Sequence, residues 1–216
     1  MPRESLEDKI KRAIACLKLL RKHYPGASTS LKYRSVHQLM VATILSAQCT
    51  DERVNMVTPG LFKKYPSVEA FAEADLNELS QDIFSTGFHN SKAKSIINSA
   101  RGLLEEHRGE VPQSLEELVK LPGVGRKTAS VILGNAFGIA EGIVVDTHVA
   151  RISRLLGFTK HKDPIGIEKD LMKIIPRADW IDYSHMLILH GRALCVARRP
   201  NCRDCFLSKL CPSAKE

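Results

Sequence analysis

The chain has 216 residues, a formal net charge of +8, and 44% hydrophobic and 26% charged residues. That composition excludes a disordered or fibrous protein and leaves room for one domain or two small ones with a full core. The basic surplus fits a polyanionic partner, and the longest apolar stretch, Leu39 to Leu45, is far too short to cross a bilayer.

The segment from Met1 to Lys9 carries acidic residues early and no apolar signal core, so neither secretion nor organelle import is expected. Ile10, Ile14, Leu17 and Leu20 form the stripe of a first helix that stops near Tyr24-Pro25-Gly26. Ser35 can cap a second helix, and its run from Leu39 to Leu45 is apolar nearly all round, as in a helix buried inside a bundle. Helical segments at 51–64 and 68–74 follow. Ala93, Ile96, Ile97, Ala100, Leu103 and Leu104 then recur at intervals of three and four, ending at Arg108-Gly109. Segments 115–121, 128–136, 149–156, 167–175 and 180–194 complete the series. No period-two run finds a partner, and the apolar stretch at 142–145 is too brief to build a sheet. The expected fold class is all-α. With no low-complexity linker, the expected division joins 1–28 to 140–216 as one domain and leaves 29–139 as the other.

Leu121-Pro122-Gly123-Val124-Gly125-Arg126-Lys127 lies between two short helical patterns. Two glycines around one small apolar residue permit a tight hairpin, and their missing side chains let the backbone approach a ligand closely. The N–H groups at the start of the following helix suit a phosphodiester oxygen, without reference to base sequence. The flanking Leu-Pro and Arg-Lys pairs favour a helix–hairpin–helix over a plain turn. Lys92 and Lys94 occupy the first turn of the helix after Asn90-Ser91, where positive charge opposes the helix dipole, and phosphate contact would explain that placement.

At the C-terminal end four cysteines run Cys195–x6–Cys202–x2–Cys205–x5–Cys211. Four thiolates in one short irregular segment can face a single point, as tetrahedral zinc or a cubane iron–sulfur cluster requires. One close pair flanked by wider gaps suits the larger cluster, whereas zinc patterns usually repeat the close pair. A pair of disulfides is the other reading, disfavoured in a chain that looks cytosolic. Arg192, Arg198, Arg199 and Arg203 surround these cysteines with positive charge. Cys16 and Cys49 sit among apolar neighbours as small core residues.

The hairpin, the run Val145-Asp146-Thr147-His148-Val149-Ala150-Arg151 and the cysteine quartet together resemble the endonuclease III family of DNA glycosylases. Leu45-Ser46-Ala47-Gln48 and Asn90-Ser91-Lys92-Ala93 look like further pieces of the same pattern, so the resemblance spans about Val36 to Cys211. It implies a six-helix domain carrying the hairpin, a second domain holding a [4Fe–4S] cluster on Cys195, Cys202, Cys205 and Cys211, and a lesion-binding cleft. It further implies Lys127 as the lysine that attacks C1′ of a damaged nucleotide and Asp146 as the assisting carboxylate. On position alone, Lys127 reads rather as a phosphate-binding lysine and Asp146 rather as a helix cap, and it is the resemblance that assigns them the chemistry. Gln48 matches a residue that fills the gap left by an extruded base. Phe88 stands where the family usually has a leucine wedge and His89 where a tyrosine is common, which bears on lesion range rather than reaction class. Asn90, Lys92, Gly123, Gly125, Arg126 and His148 complete the expected DNA-binding set, with His148 more a structural hydrogen-bonder than a base. The implied protein is a monomeric, cytoplasmic, nucleoid-associated glycosylase and abasic-site lyase. Its expected partner is double-stranded DNA with damaged pyrimidines or abasic sites. The alternatives are a monofunctional glycosylase of the same superfamily and a non-catalytic, metal-stabilised DNA-binding module.

Overall fold

Ser5 accepts a hydrogen bond from the Asp8 N–H, and helix α1 (Leu6–His23) begins there. The computed structural model describes residues 4–215, and among them every regular element is helical. The all-α expectation therefore holds. The chain divides into two units: Ser30–Glu141 makes one, and the residues up to Thr29 together with those from Gly142 make the other.

In the Ser30–Glu141 unit, small polar side chains fix where successive helices start. The Ser35 hydroxyl caps α2 (Val36–Leu45) by accepting from Gln38 N–H. Thr50 does the same for α3 (Asp51–Lys64) and Ser67 for α4 (Val68–Ala72). Asp75 accepts from both Asn77 and Glu78 N–H at the head of α5 (Leu76–Asp82). Apolar periodicity predicts no helix at α5, because two leucines three residues apart make no recurring stripe. The signal that marks it is the cap, Asp75 followed three residues later by Glu78. Next come α6 (His89–His107), α7 (Leu115–Leu118) and α8 (Arg126–Ile132), which widens into a π-helical turn over Leu133–Phe137.

Helix α2 packs against α3, α6 and α8, which explains its apolar circumference: every residue from Leu39 to Leu45 is buried. Helices α4 and α5 lie on α6. Phe71, Leu79, Ile96, Leu103 and Ile132 are among the side chains that fill the space between them.

The second unit contains α1 with α9 (Thr147–Leu155), α10 (Pro164–Met172) and α11 (Trp180–Ala193). Helix α11 packs on α1 and α9, and α10 on α9. The buried stripe of α1 is Ala13, Cys16, Leu17 and Leu20, so it is rotated from the expected one and leaves Ile10 and Ile14 only half-buried. Arg12 binds the ends together. Its Nη1 donates to Leu156 O at 2.7 Å and Leu210 O at 3.1 Å, while Nε donates to Glu4. Cys16 is fully buried, and burial pushes its thiol up to about 12, as suits a core residue.

Candidate functional site

The hairpin of the first unit is tight and anchored. Val124 N–H donates to Leu121 O at 3.0 Å, and both side chains are buried. Its two glycines answer to different constraints. Gly123 has φ +79, and a Cβ there would stand 2.6 Å from Ser95 Cβ of α6, so the fold itself demands glycine. Gly125 has φ −80 and open space where its Cβ would be. Nothing inside the chain requires it to lack a side chain. Gly125 is also the N-cap of α8, and no side chain caps that helix. Arg126 and Lys127 follow in its first turn, both exposed.

Gln48 and Phe88 share an unusual geometry. Both are exposed, and both have left-handed backbones, at φ 54 and φ 50. A non-glycine residue in this region is strained, and such strain gathers at functional sites. Gln48 lies in the turn after α2, and Phe88, 64% exposed, is the N-cap of α6. Behind Phe88, the Ser80 hydroxyl donates to Asn90 Oδ1 at 2.6 Å and lies 2.6 Å from His89 Nδ1. With its one proton given to Asn90, the hydroxyl accepts from His89, which sets that ring's tautomer. The His89 ring also tilts against Phe84, which is itself exposed, at 4.8 Å.

Lys92 corrects the expectation. It was placed among the DNA-contacting cations, but its side chain is buried at 5% exposure. Its Nζ donates to Leu45 O and to Thr86 O, each at 2.8 Å. Pointing at the last carbonyl of α2 puts the ammonium at the negative end of that helix, so the dipole argument changes sign. Burial lowers its pKa, with Cys49 opposing. Lys94, by contrast, is exposed.

In the other unit Asp146 is the N-cap of α9, and its Oδ1 accepts from Val149 N–H at 2.8 Å. His148 packs its ring against Gly191, where a Cβ would meet Nδ1 at 2.4 Å. Its Nδ1 lies 3.3 Å from Arg151 Nη2, and burial lowers its pKa. Arg151 also donates to Cys195 O at 2.8 Å and approaches Cys195 Sγ at 3.9 Å, so α9 holds the first cysteine in place.

The four cysteines line a cavity of about 280 Å³ together with Arg151, Leu155, His190 and Leu207. Among the described residues, the only set of three or more candidate ligand atoms within 4.8 Å of one another is Glu106, His107 and Glu117. The thiols are thus spread more widely than the edge of roughly 3.8 Å that one tetrahedral zinc would give its sulfurs. Burial raises the Cys195 and Cys205 thiols, so loading this site must release protons. Two supports were not anticipated. His190 Nε2 lies 3.6 Å from Cys205 Sγ, and Cys211 Sγ lies 3.6 Å from Leu155 O. His190 sits on the buried face of α11, and only that periodicity hinted at it. Arg198, Arg199 and Arg203 are exposed around the loop.

The family model for HhH-GPD superfamily base excision DNA repair proteins matches residues 41–177. The chain is 56% identical to endonuclease III of Synechocystis sp. over 210 residues, covering 97% of this chain and 96% of that one. It is 42% identical to endonuclease III of Escherichia coli strain K12, covering 89% and 90%. A solved non-covalent endonuclease III–DNA complex superposes with a TM-score of 0.89 at 43% identity, covering 95% of this chain and 96% of that one.

Proposed function

Because the chain belongs to the endonuclease III family of DNA glycosylase/abasic-site lyases, which removes oxidised pyrimidines in base excision repair, we propose that Lys127 and Asp146 carry the reaction. The observation that bears most on this is the place of Lys127. It is exposed in the first turn of α8, directly behind a hairpin whose Gly125 lacks a side chain for no internal reason.

In this reading the hairpin amides and Arg126 hold DNA phosphates. Extrusion of the damaged nucleotide exposes its C1′. Lys127 Nζ attacks C1′ as an amine, the C1′–N bond to the base breaks, and the sugar ring opens to an imine between Nζ and C1′. Loss of a C2′ proton then expels the 3′ phosphate and nicks the strand. Asp146, held by Val149 N–H through one oxygen, offers its negative charge to the cationic sugar and assists proton removal from the lysine. Gln48 and Phe88 fill the space the extruded base leaves, Asn90 and His89 brace the Phe88 turn, and His148 steadies Arg151.

Cys195, Cys202, Cys205 and Cys211 would hold a [4Fe–4S] cluster, whose wider ligand spacing suits the separation of the thiols. When bound, it supplies a fixed anchor for the arginine-rich loop around it. The partner is duplex DNA with a damaged pyrimidine or an abasic site, met by a monomer on the bacterial nucleoid.

Borohydride trapping on a duplex with one oxidised pyrimidine tests the assignment. Wild-type protein should form a covalent adduct and Lys127→Ala should not. Base release by wild type with no trappable adduct would overturn it.

A further inference from the structure

Two of the three non-glycine residues with positive φ among the described residues are Gln48 and Phe88. The third, Arg108, ends α6, where a left-handed cap is ordinary. Gln48 follows Leu45 by three residues, and Phe88 follows Thr86 by two. Leu45 and Thr86 are the residues whose carbonyls share the Lys92 ammonium, each at 2.8 Å. We propose that Lys92 is a positioning residue, clamping the turn that carries Gln48 to the turn that carries Phe88 so that both enter the duplex in register. The inference rests on the functional reading above for the task of the two side chains, and on this geometry for the task of the lysine.

The chemistry argues against a purely architectural lysine. An ammonium buried against two neutral carbonyls, with no carboxylate among its hydrogen-bond partners, is poorly compensated for its lost hydration. Burial accordingly lowers its pKa. An apolar side chain of the same length would fill the space without that penalty. What it would not do is bind two carbonyl oxygens from separate segments at one point. Thr86 O lies at the end of the short turn Phe84–Thr86, and Leu45 O at the end of α2, so the ammonium ties two separate segments together at one point. Both strained turns begin within three residues of the clamp, so a small shift at the ammonium moves both side chains.

The test compares Lys92→Met with wild type in two reactions and in thermal unfolding. One reaction is release of an oxidised pyrimidine from duplex DNA, which needs the gap filled. The other is incision at a preformed abasic site in single-stranded DNA, which has no opposite strand to hold. The expected result is a folded protein with at most a modest loss in melting temperature from the two unpaired carbonyls, unchanged single-strand incision, and duplex excision reduced about tenfold or more. An excision-to-incision ratio equal to that of wild type would overturn the proposal. If methionine prevents folding, Lys92→Gln, which keeps one amide donor at the site, is measured by the same ratio. Wild type inactive in both reactions would instead count against the functional reading, so the two failures are distinct.

Discussion

His190 Nε2 stands 3.6 Å from Cys205 Sγ, while its Nδ1 lies 3.2 Å from the Tyr24 hydroxyl. With the phenol donating to Nδ1, the ring carries its proton on Nε2, aimed at the sulfur. Phe206 packs against both rings and holds them in place. Hydrogen bonds to a ligand sulfur favour the more negative state of a cluster. Iron-loaded His190→Phe is therefore expected to show a more negative reduction potential than wild type, and Tyr24→Phe a smaller shift the same way. Voltammetry on protein matched for iron content reads this, and identical potentials in all three would contradict the relay.

Asp146 is both a cap and the proposed carboxylate, and two substitutions separate the roles. Asp146→Asn keeps a capping oxygen for Val149 N–H, so its stability should match wild type. Asp146→Ala should lose about 1 kcal/mol. Both should lower base release by roughly a hundredfold, since both remove the charge. Parallel denaturation and single-turnover assays check the pattern, and an active Asp146→Asn would reduce this residue to a cap.

His37 makes the Ser30–Glu141 unit sensitive to acid. It is buried on α2 beside Phe71, its Nε2 has no hydrogen-bond partner, and burial pulls its pKa down to about 4 from the usual 6.5, with Glu69 weakly opposing. The unfolded chain takes up this proton first as pH falls. Stability from the neutral ring is therefore complete above about pH 6.5 and is lost progressively down to about pH 4, amounting to roughly 3 kcal/mol at most. His37→Phe should flatten this part of the profile. Denaturation midpoints between pH 7 and 4 measure it, and an unchanged slope in the variant would refute the assignment.

The hairpin glycines should respond oppositely. Gly123→Ala sets a Cβ against Ser95 and holds alanine at φ +79, so a loss of roughly 2 kcal/mol or more in stability is expected. Gly125→Ala meets nothing and should stay within about 0.5 kcal/mol of wild type. It should nonetheless bind duplex DNA more weakly, because its new methyl group would stand where the proposed phosphate contact is made. Urea melts and salt-dependent binding isotherms separate the two.

Much of the architecture was legible because it is written locally. Ser35, the apolar run of α2 and the recurrence along α6 each mark a helix by themselves. Helix α5 escaped because its stabilisation lies in a cap rather than a stripe. The burial of Lys92 escaped for a different reason: lysine near a helix start reads as surface, and only the tertiary approach of Leu45 and Thr86 supplies acceptors inside. His190 was unreadable in the same sense, since its partners Tyr24 and Cys205 lie far away along the chain. The cysteine spacing favoured the larger cluster over zinc, and in three dimensions no three of the sulfurs lie within 4.8 Å of one another.

Helix α6 acts as a ruler. Phe88 stands at its head, and Ser95, seven residues along, abuts Gly123 of the hairpin. Seven residues of α-helix measure about 10 Å, the length of roughly three base steps along a strand. The interval between the proposed unstacking side chain and the proposed phosphate-binding hairpin is therefore set by a rigid rod rather than by a loop. Single-residue insertions between Phe88 and Ser95 would be far less tolerable than substitutions on the same exposed face.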